Sequence, residues 1–201
     1  MLDLGAAPGS WSQVAFERVG PTGKVVAVDL QIMGALPGVD SFVGDIRDPA
    51  VITSMRDALG QPADVVLSDI APQASGVGVV DQARSIELAE TALAIATKIL
   101  RLGGVIVVKV FRGEDFDKFI ASARGKFHKV NVVIPEATRP ESRESFVVAQ
   151  GFGYPEPPRF LAVRPRKAGG LSKKASPRRR GPALSRRRLR SAPRDPPARA
   201  E

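Results

Sequence analysis

The order of apolar runs along this chain constrains its fold more than any other feature. Short runs of strand composition lie at Met1–Leu4, Lys24–Asp29, Ser41–Gly44, Asp64–Asp69, Val105–Phe111, Lys129–Ile134 and Ser145–Ala149. Between them stand stretches with helical spacing, Trp11–Val19, Pro49–Leu59, Val80–Leu100 and Phe116–Lys126. Strands that alternate with helices form a parallel sheet wrapped by those helices, so the pattern predicts an α/β fold with seven strands. In the longest helix, Ile86, Ala89, Leu93, Ala96 and Leu100 recur at three- and four-residue steps, and the glycines of "RLGG" are expected to stop it. Only the loop "EATRPESR" separates the last two strands, which leaves no room for a crossover helix. Those two strands are therefore expected to pair antiparallel.

Charge divides the chain. Residues 164–201 hold 14 Lys/Arg against Asp195 and Glu201, a net of +12, whereas the remaining 16 Lys/Arg and 19 Asp/Glu leave residues 1–163 at −3. The basic segment is rich in Pro, Gly, Ser and Arg and holds few apolar residues, so it is expected to be a disordered tail that engages RNA phosphates. Residues 153–163 read as the linker that joins it to a domain of residues 1–152. The absence of cysteine excludes disulfides and thiolate metal sites, and a single histidine, His128, argues against a zinc site. His128 reads as a surface or edge residue. No run of about 18 apolar residues is present, and the expectation is a soluble, cytoplasmic monomer.

The stretch "LDLGAAPGSW" sets a strand, a glycine turn and a helix N-terminus in sequence. Gly5 and Gly9 let the backbone approach a ligand closely, but the spacing is not the G-x-G-x-x-G of a pyrophosphate cradle. That difference disfavours a nicotinamide-dependent dehydrogenase. Asp29 ends the second strand, where a carboxylate can accept both ribose hydroxyls of an adenosine. Asp45 in "GDIRD" and Asp69 in "VVLSDIAP" end the third and fourth strands. All of these meet at the carboxyl edge of the sheet, where open α/β folds bind ligands. Lys109 closes the apolar run "GGVIVVKV" on the same edge, and Glu144 enters from the late loop. Arg139 and Arg143, in that loop, are candidates for phosphate contact or for surface ion pairs.

Taken together, "DLGAAPGSWSQVA", "GDIRD", "DVVLSDIAPQASG", "GGVIVVKVF" and "SRESFVVAQGF" resemble the FtsJ-type RNA 2′-O-ribose methyltransferases, in order and at the family's spacing over residues 1–152. The resemblance implies a Rossmann-like class I methyltransferase fold, whose mostly parallel seven-stranded sheet has one antiparallel late strand. It also implies S-adenosylmethionine as cofactor, with Gly9, Trp11, Asp29, Asp45 and Asp69 lining its site. Lys109 is implied as proton acceptor, with Asp69 and Glu144 positioning it and the ribose. The implied substrate is a uridine of large-subunit, 23S-type ribosomal RNA and the implied partner the large ribosomal subunit.

Ser10 stands where the family often has a second glycine, Ile70 where methionine is usual, and Ile134 where a lysine typically precedes the proline. The family's constellation also has a second lysine on a segment before the first strand. The expectation is that the reading frame begins some tens of residues upstream of Met1. Two alternatives stand beside the ribosomal reading: a homologue that methylates tRNA, and a shortened paralogue that binds RNA or cofactor without catalysis.

Overall fold

The computed structural model describes residues 1–154 apart from 137, 140 and 141. The expected tail, and all of the expected linker beyond Tyr154, lie outside the described residues. The elements run β1 (Leu2–Leu4), α1 (Ser10–Val19), β2 (Val25–Asp29), β3 (Val39–Val43), α2 (Pro49–Leu59) and β4 (Ala63–Ser68). They continue as α3 (Gly78–Ile99), β5 (Leu100–Phe111), α4 (Phe116–Arg124), β6 (Phe127–Val133) and β7 (Glu144–Phe152). The seven strands form one sheet in the order β3-β2-β1-β4-β5-β7-β6. The first five are parallel to one another, and β7 runs antiparallel to both β5 and β6, as the short late loop requires.

Successive strand residues point to opposite faces, and here the two faces carry different work. One face presents Leu2, Leu4, Val26, Val28, Val66, Ile106, Val108 and Val147, which join the hydrophobic core. Met55 and Leu59 of α2, the apolar face of α3, and Phe119 and Ile120 of α4 complete that core. Right-handed crossovers put α2, α3 and α4 together on this side, because their connections advance across the sheet in one direction. The β1–α1–β2 connection advances the other way, so α1 covers the opposite face. On that face the in-register residues Asp3, Ala27 and Leu67 share a row with Val107 and Val148.

Local chemistry explains the helix ends. Asp48 caps α2 by accepting from the Ala50 amide at 2.8 Å, and Pro49 occupies the first helical position, where its missing N–H costs nothing. The structure corrects one expectation. The glycines of "RLGG" do not stop α3, which ends at Ile99 with Leu100 already extended (φ −67°, ψ 142°). Leu100 pairs with Ala63, and the β4–β5 register then shifts before Val65 meets Val105. Gly103, at φ +77°, takes up that irregularity inside β5 rather than at a helix terminus. β3 also starts two residues earlier than expected, at Val39, as a half-exposed edge strand without a clear apolar signature.

Candidate active site

The carboxyl edge of the sheet gathers β1, β2, β4, β5 and β7 on the face covered by α1. At its centre is the turn after β1. Gly5 adopts φ +73°, and a Cβ there would lie 2.4 Å from Ile70 Cγ1 and 3.0 Å from Ile70 Cα. The chain leaving β4 therefore passes hard against β1, and only glycine permits it. Gly9 adopts φ +113° and serves as the N-cap of α1 without a side chain to cap it. The amides of Ser10, Trp11 and Ser12 are left without helical partners at the mouth of the turn. Met33 and Leu36 press over Gly9, within 3.1 Å of where a Cβ would stand.

Asp29 closes over this turn from β2. One carboxylate oxygen accepts from the Ala7 amide at 3.0 Å and the other from the Gln31 amide at 2.8 Å. Both bonds fix the carboxylate's direction and leave lone pairs for a further donor. On the other side of β1, Lys109 Nζ lies 2.9 Å from Asp69 Oδ1. The lysine side chain is only 11% exposed and that of Asp69 33%, so the amine is sheltered while the carboxylate still meets water. Phe146 of β7 stands opposite Lys109, and Glu144 stands opposite Phe111, which places Glu144 diagonally from Lys109 on the same face. Such a diagonal spans about 7–8 Å. Between Asp29 and Lys109 lie three strand spacings, about 14 Å of edge, room for a nucleoside-sized ligand.

The structure thus brings Gly9, Asp29, Asp69, Lys109 and Glu144 to one edge and one face. Asp45 is different. It follows the outermost strand, and its carboxylate is taken by Arg47 through the backbone amide, Nε and a terminal guanidinium nitrogen at 2.6–3.1 Å. Those hydrogen bonds hold the Asp45 carboxyl down at about 2. Trp11 stands in the first turn of α1, and its ring packs on Phe146 with centroids 5.4 Å apart. What it turns toward the glycine turn is its free amide. His128 is exposed on β6, as expected.

Two residues at this edge escaped the sequence reading. Asp3, in the centre of β1, is fully buried. One of its oxygens accepts from Ser12 Oγ at 2.6 Å, and the other has no hydrogen-bond partner among the described residues. Burial pushes the Asp3 carboxyl up to about 6, the Ser12 hydrogen bond opposes the rise, and the charges of Asp69 and Asp29 add to it. The available signal was an acid set between two leucines in a strand too short to spare one. Phe146 is the other, an aromatic two residues after Glu144 and so on the same strand face.

A glycine turn between β1 and α1, carboxylates on the following strand ends and a reversed β7 inserted beside β5 together define the class I methyltransferase fold. The family model of FtsJ-like methyltransferases matches residues 1–152. The chain is 49% identical over 154 residues to a ribosomal RNA large subunit methyltransferase E from Alkalilimnicola ehrlichii, covering 76% of this chain and 74% of that one. To the protein of the same name from Stenotrophomonas maltophilia it is 46% identical over 152 residues, covering 75% and 72%. A solved Plasmodium falciparum structure described as a ribosomal RNA methyltransferase superposes with a TM-score of 0.68 at 29% identity, over 75% of this chain and 85% of that one. The chain belongs to the FtsJ-like methyltransferase family.

Proposed function

We propose that this protein transfers a methyl group from S-adenosylmethionine to the 2′-hydroxyl of a uridine in large-subunit ribosomal RNA. The observation that carries this reading is the Lys109–Asp69 ion pair, sheltered beside the glycine turn with Glu144 on the same face. The names of the relatives support the substrate class. The residues present fit a cationic nucleoside: uncapped amides at the start of α1, and the carboxylates of Asp29 and Asp69 on the same edge.

When bound, the cofactor supplies an electrophilic methyl group whose transfer leaves a neutral thioether. Asp29 would hold the adenosyl ribose, and the Ser10–Ser12 amides would take the carboxylate of the amino-acid end. Asp45, whose carboxylate Arg47 holds, would face the adenine end. Glu144 orients the target ribose so that its 2′-oxygen meets the methyl in line. The hydroxyl proton goes to Lys109. Asp69, 2.9 Å from the amine, fixes where Lys109 Nζ stands as it takes that proton.

Residues 1–152 form the catalytic domain in this reading, and the basic residues of 164–201 add sequence-independent phosphate contacts. The enzyme works in the cytoplasm as a monomer, on the large subunit rather than as part of it. The test is transfer of labelled methyl to undermethylated large ribosomal subunits, with naked ribosomal RNA and tRNA as comparisons. Lys109→Ala is expected to lower kcat by about 10²–10⁴-fold with binding of S-adenosylhomocysteine retained. Full activity in that variant would refute the proton-acceptor role, and preferential labelling of tRNA would refute the ribosomal one.

A further inference from the structure

A second recess adjoins the catalytic edge. It has a volume of about 730 Å³, within the range of small-molecule and nucleotide sites, and Glu144 forms its border with the Lys109–Asp69 pair. Its other walls are unlike the cofactor turn. Phe111, the last residue of β5, supplies a half-buried aromatic face, and Ser142 a hydroxyl. Arg139 and Arg143 reach it from the late loop, and neither guanidinium has an ion-pair or hydrogen-bond partner among the described residues.

The start of α3 completes the recess. Its N-cap, Val77, has no side chain able to cap, so the first amides of a 22-residue helix face outward unpaired. Gly78, the first helical residue, leaves its amide open, and the Arg143 guanidinium lies 3.6 Å from where a Cβ would stand. Among the described lining residues, Asp81 is the one acid besides Glu144. Its Oδ1 accepts from both the Ser75 amide (2.8 Å) and the Ser75 hydroxyl (2.6 Å), which holds that oxygen on the loop. A cation poised over unpaired helix amides next to an aromatic face matches one ligand chemistry, a phosphate joined to a stacking base.

We propose that this recess seats the nucleotide adjacent to the methylated one, with its base on Phe111 and its phosphate between Arg143, Arg139 and the start of α3. This rests on the RNA 2′-O-methyltransferase reading above. With Glu144 at the border, a neighbour held there fixes where the target ribose falls along the edge. The recess is therefore a register device for the substrate strand and stands apart from the cofactor site.

The experiment measures methyl transfer to undermethylated large ribosomal subunits by the full chain and by Arg143→Gln, Arg143→Lys, Phe111→Leu and Phe111→Tyr. Binding of S-adenosylhomocysteine and thermal melting are followed in each. Arg143→Gln is expected to raise KM about 5- to 20-fold and to flatten the dependence of log kcat/KM on log salt by about 0.7, the loss of one phosphate contact. Arg143→Lys should restore the salt slope. Phe111→Leu should raise KM at least about 5-fold, and Phe111→Tyr should recover it by restoring the stacking face. Cofactor affinity should stay within about twofold throughout. Unchanged KM and salt slope in folded Arg143→Gln would overturn the proposal, and this exposed side chain can be removed without risk to the core. If the unmodified protein binds S-adenosylhomocysteine but methylates no RNA, the functional reading itself fails, an outcome distinct from failure of the recess alone.

Discussion

Asp3 makes the stability of this domain depend on pH in a direction opposite to that of most acidic residues. Its carboxyl ionises near 6 in the folded chain because it is buried between Asp29 and Asp69 with one oxygen unpaired. In the unfolded chain an aspartate ionises near 4, so from about pH 4 to 6 the folded state holds a proton that the unfolded state has released. Stability contributed by this group is therefore greatest below about pH 4 and falls as pH rises through 6. Two pH units at about 1.4 kcal/mol each give a loss of about 3 kcal/mol, complete by about pH 7.

Asp3→Asn keeps the side chain's shape and an acceptor for Ser12 while removing the charge. It also places an unpaired amide where the unpaired oxygen was, a cost that does not vary with pH. The informative quantity is therefore the difference between the two proteins as a function of pH. Relative to Asp3→Asn, the unmodified domain should lose about 3 kcal/mol between pH 3 and pH 7.5. Thermal melts should register that as a change of about 6–12 °C in the Tm gap, since each kcal/mol moves a domain of this size by about 2–4 °C. Carboxylates that do not interact with Asp3 titrate alike in both proteins and cancel. Parallel Tm curves across this range would refute the assignment of a charge-averse carboxyl to β1.

Gly5→Ala should cost about 2–3 kcal/mol in urea unfolding, because it combines positive φ with contact against Ile70. Gly60→Ala, at a similar φ of +70° in open space, should cost only about 1–2 kcal/mol, and equal losses would remove the Ile70 contact as a cause. Asp29→Asn should weaken S-adenosylhomocysteine binding by about 10- to 100-fold in calorimetry, through lost charge-assisted hydrogen bonds. Unchanged affinity would exclude Asp29 from the site.

Much of this architecture is legible in the residues because burial imposes periodicity. The strand-and-helix alternation, the parallel order and the reversal of β7 all follow from run length and loop length. Asp69 and Lys109 are legible because a charge at the end of an apolar run lies at a sheet edge, and Glu144 because it leads the late loop into β7. What escapes is information carried by side-chain direction and by glycines with two uses. Gly103 and Gly104 read equally well as a helix stop or as relief for a bulge, and pairing of Leu100 with Ala63 decided for the strand. Arg47 stands two residues from Asp45 in "GDIRD", but only the folded loop turns its guanidinium back onto that carboxylate. Asp3 looked like a strand residue among others until the structure removed every contact with water.

Stability and chemistry are interleaved along the same short strands at a spacing of one residue. In β5, Val108 and Val110 anchor the domain while Lys109 between them points to the opposite side. A single inserted or deleted residue upstream in that strand would send the lysine into oil and a valine into the reaction space at the same stroke. Selection against such length changes would act twice over, on folding and on turnover. Substitutions confined to one set of alternate positions would leave the other free to drift.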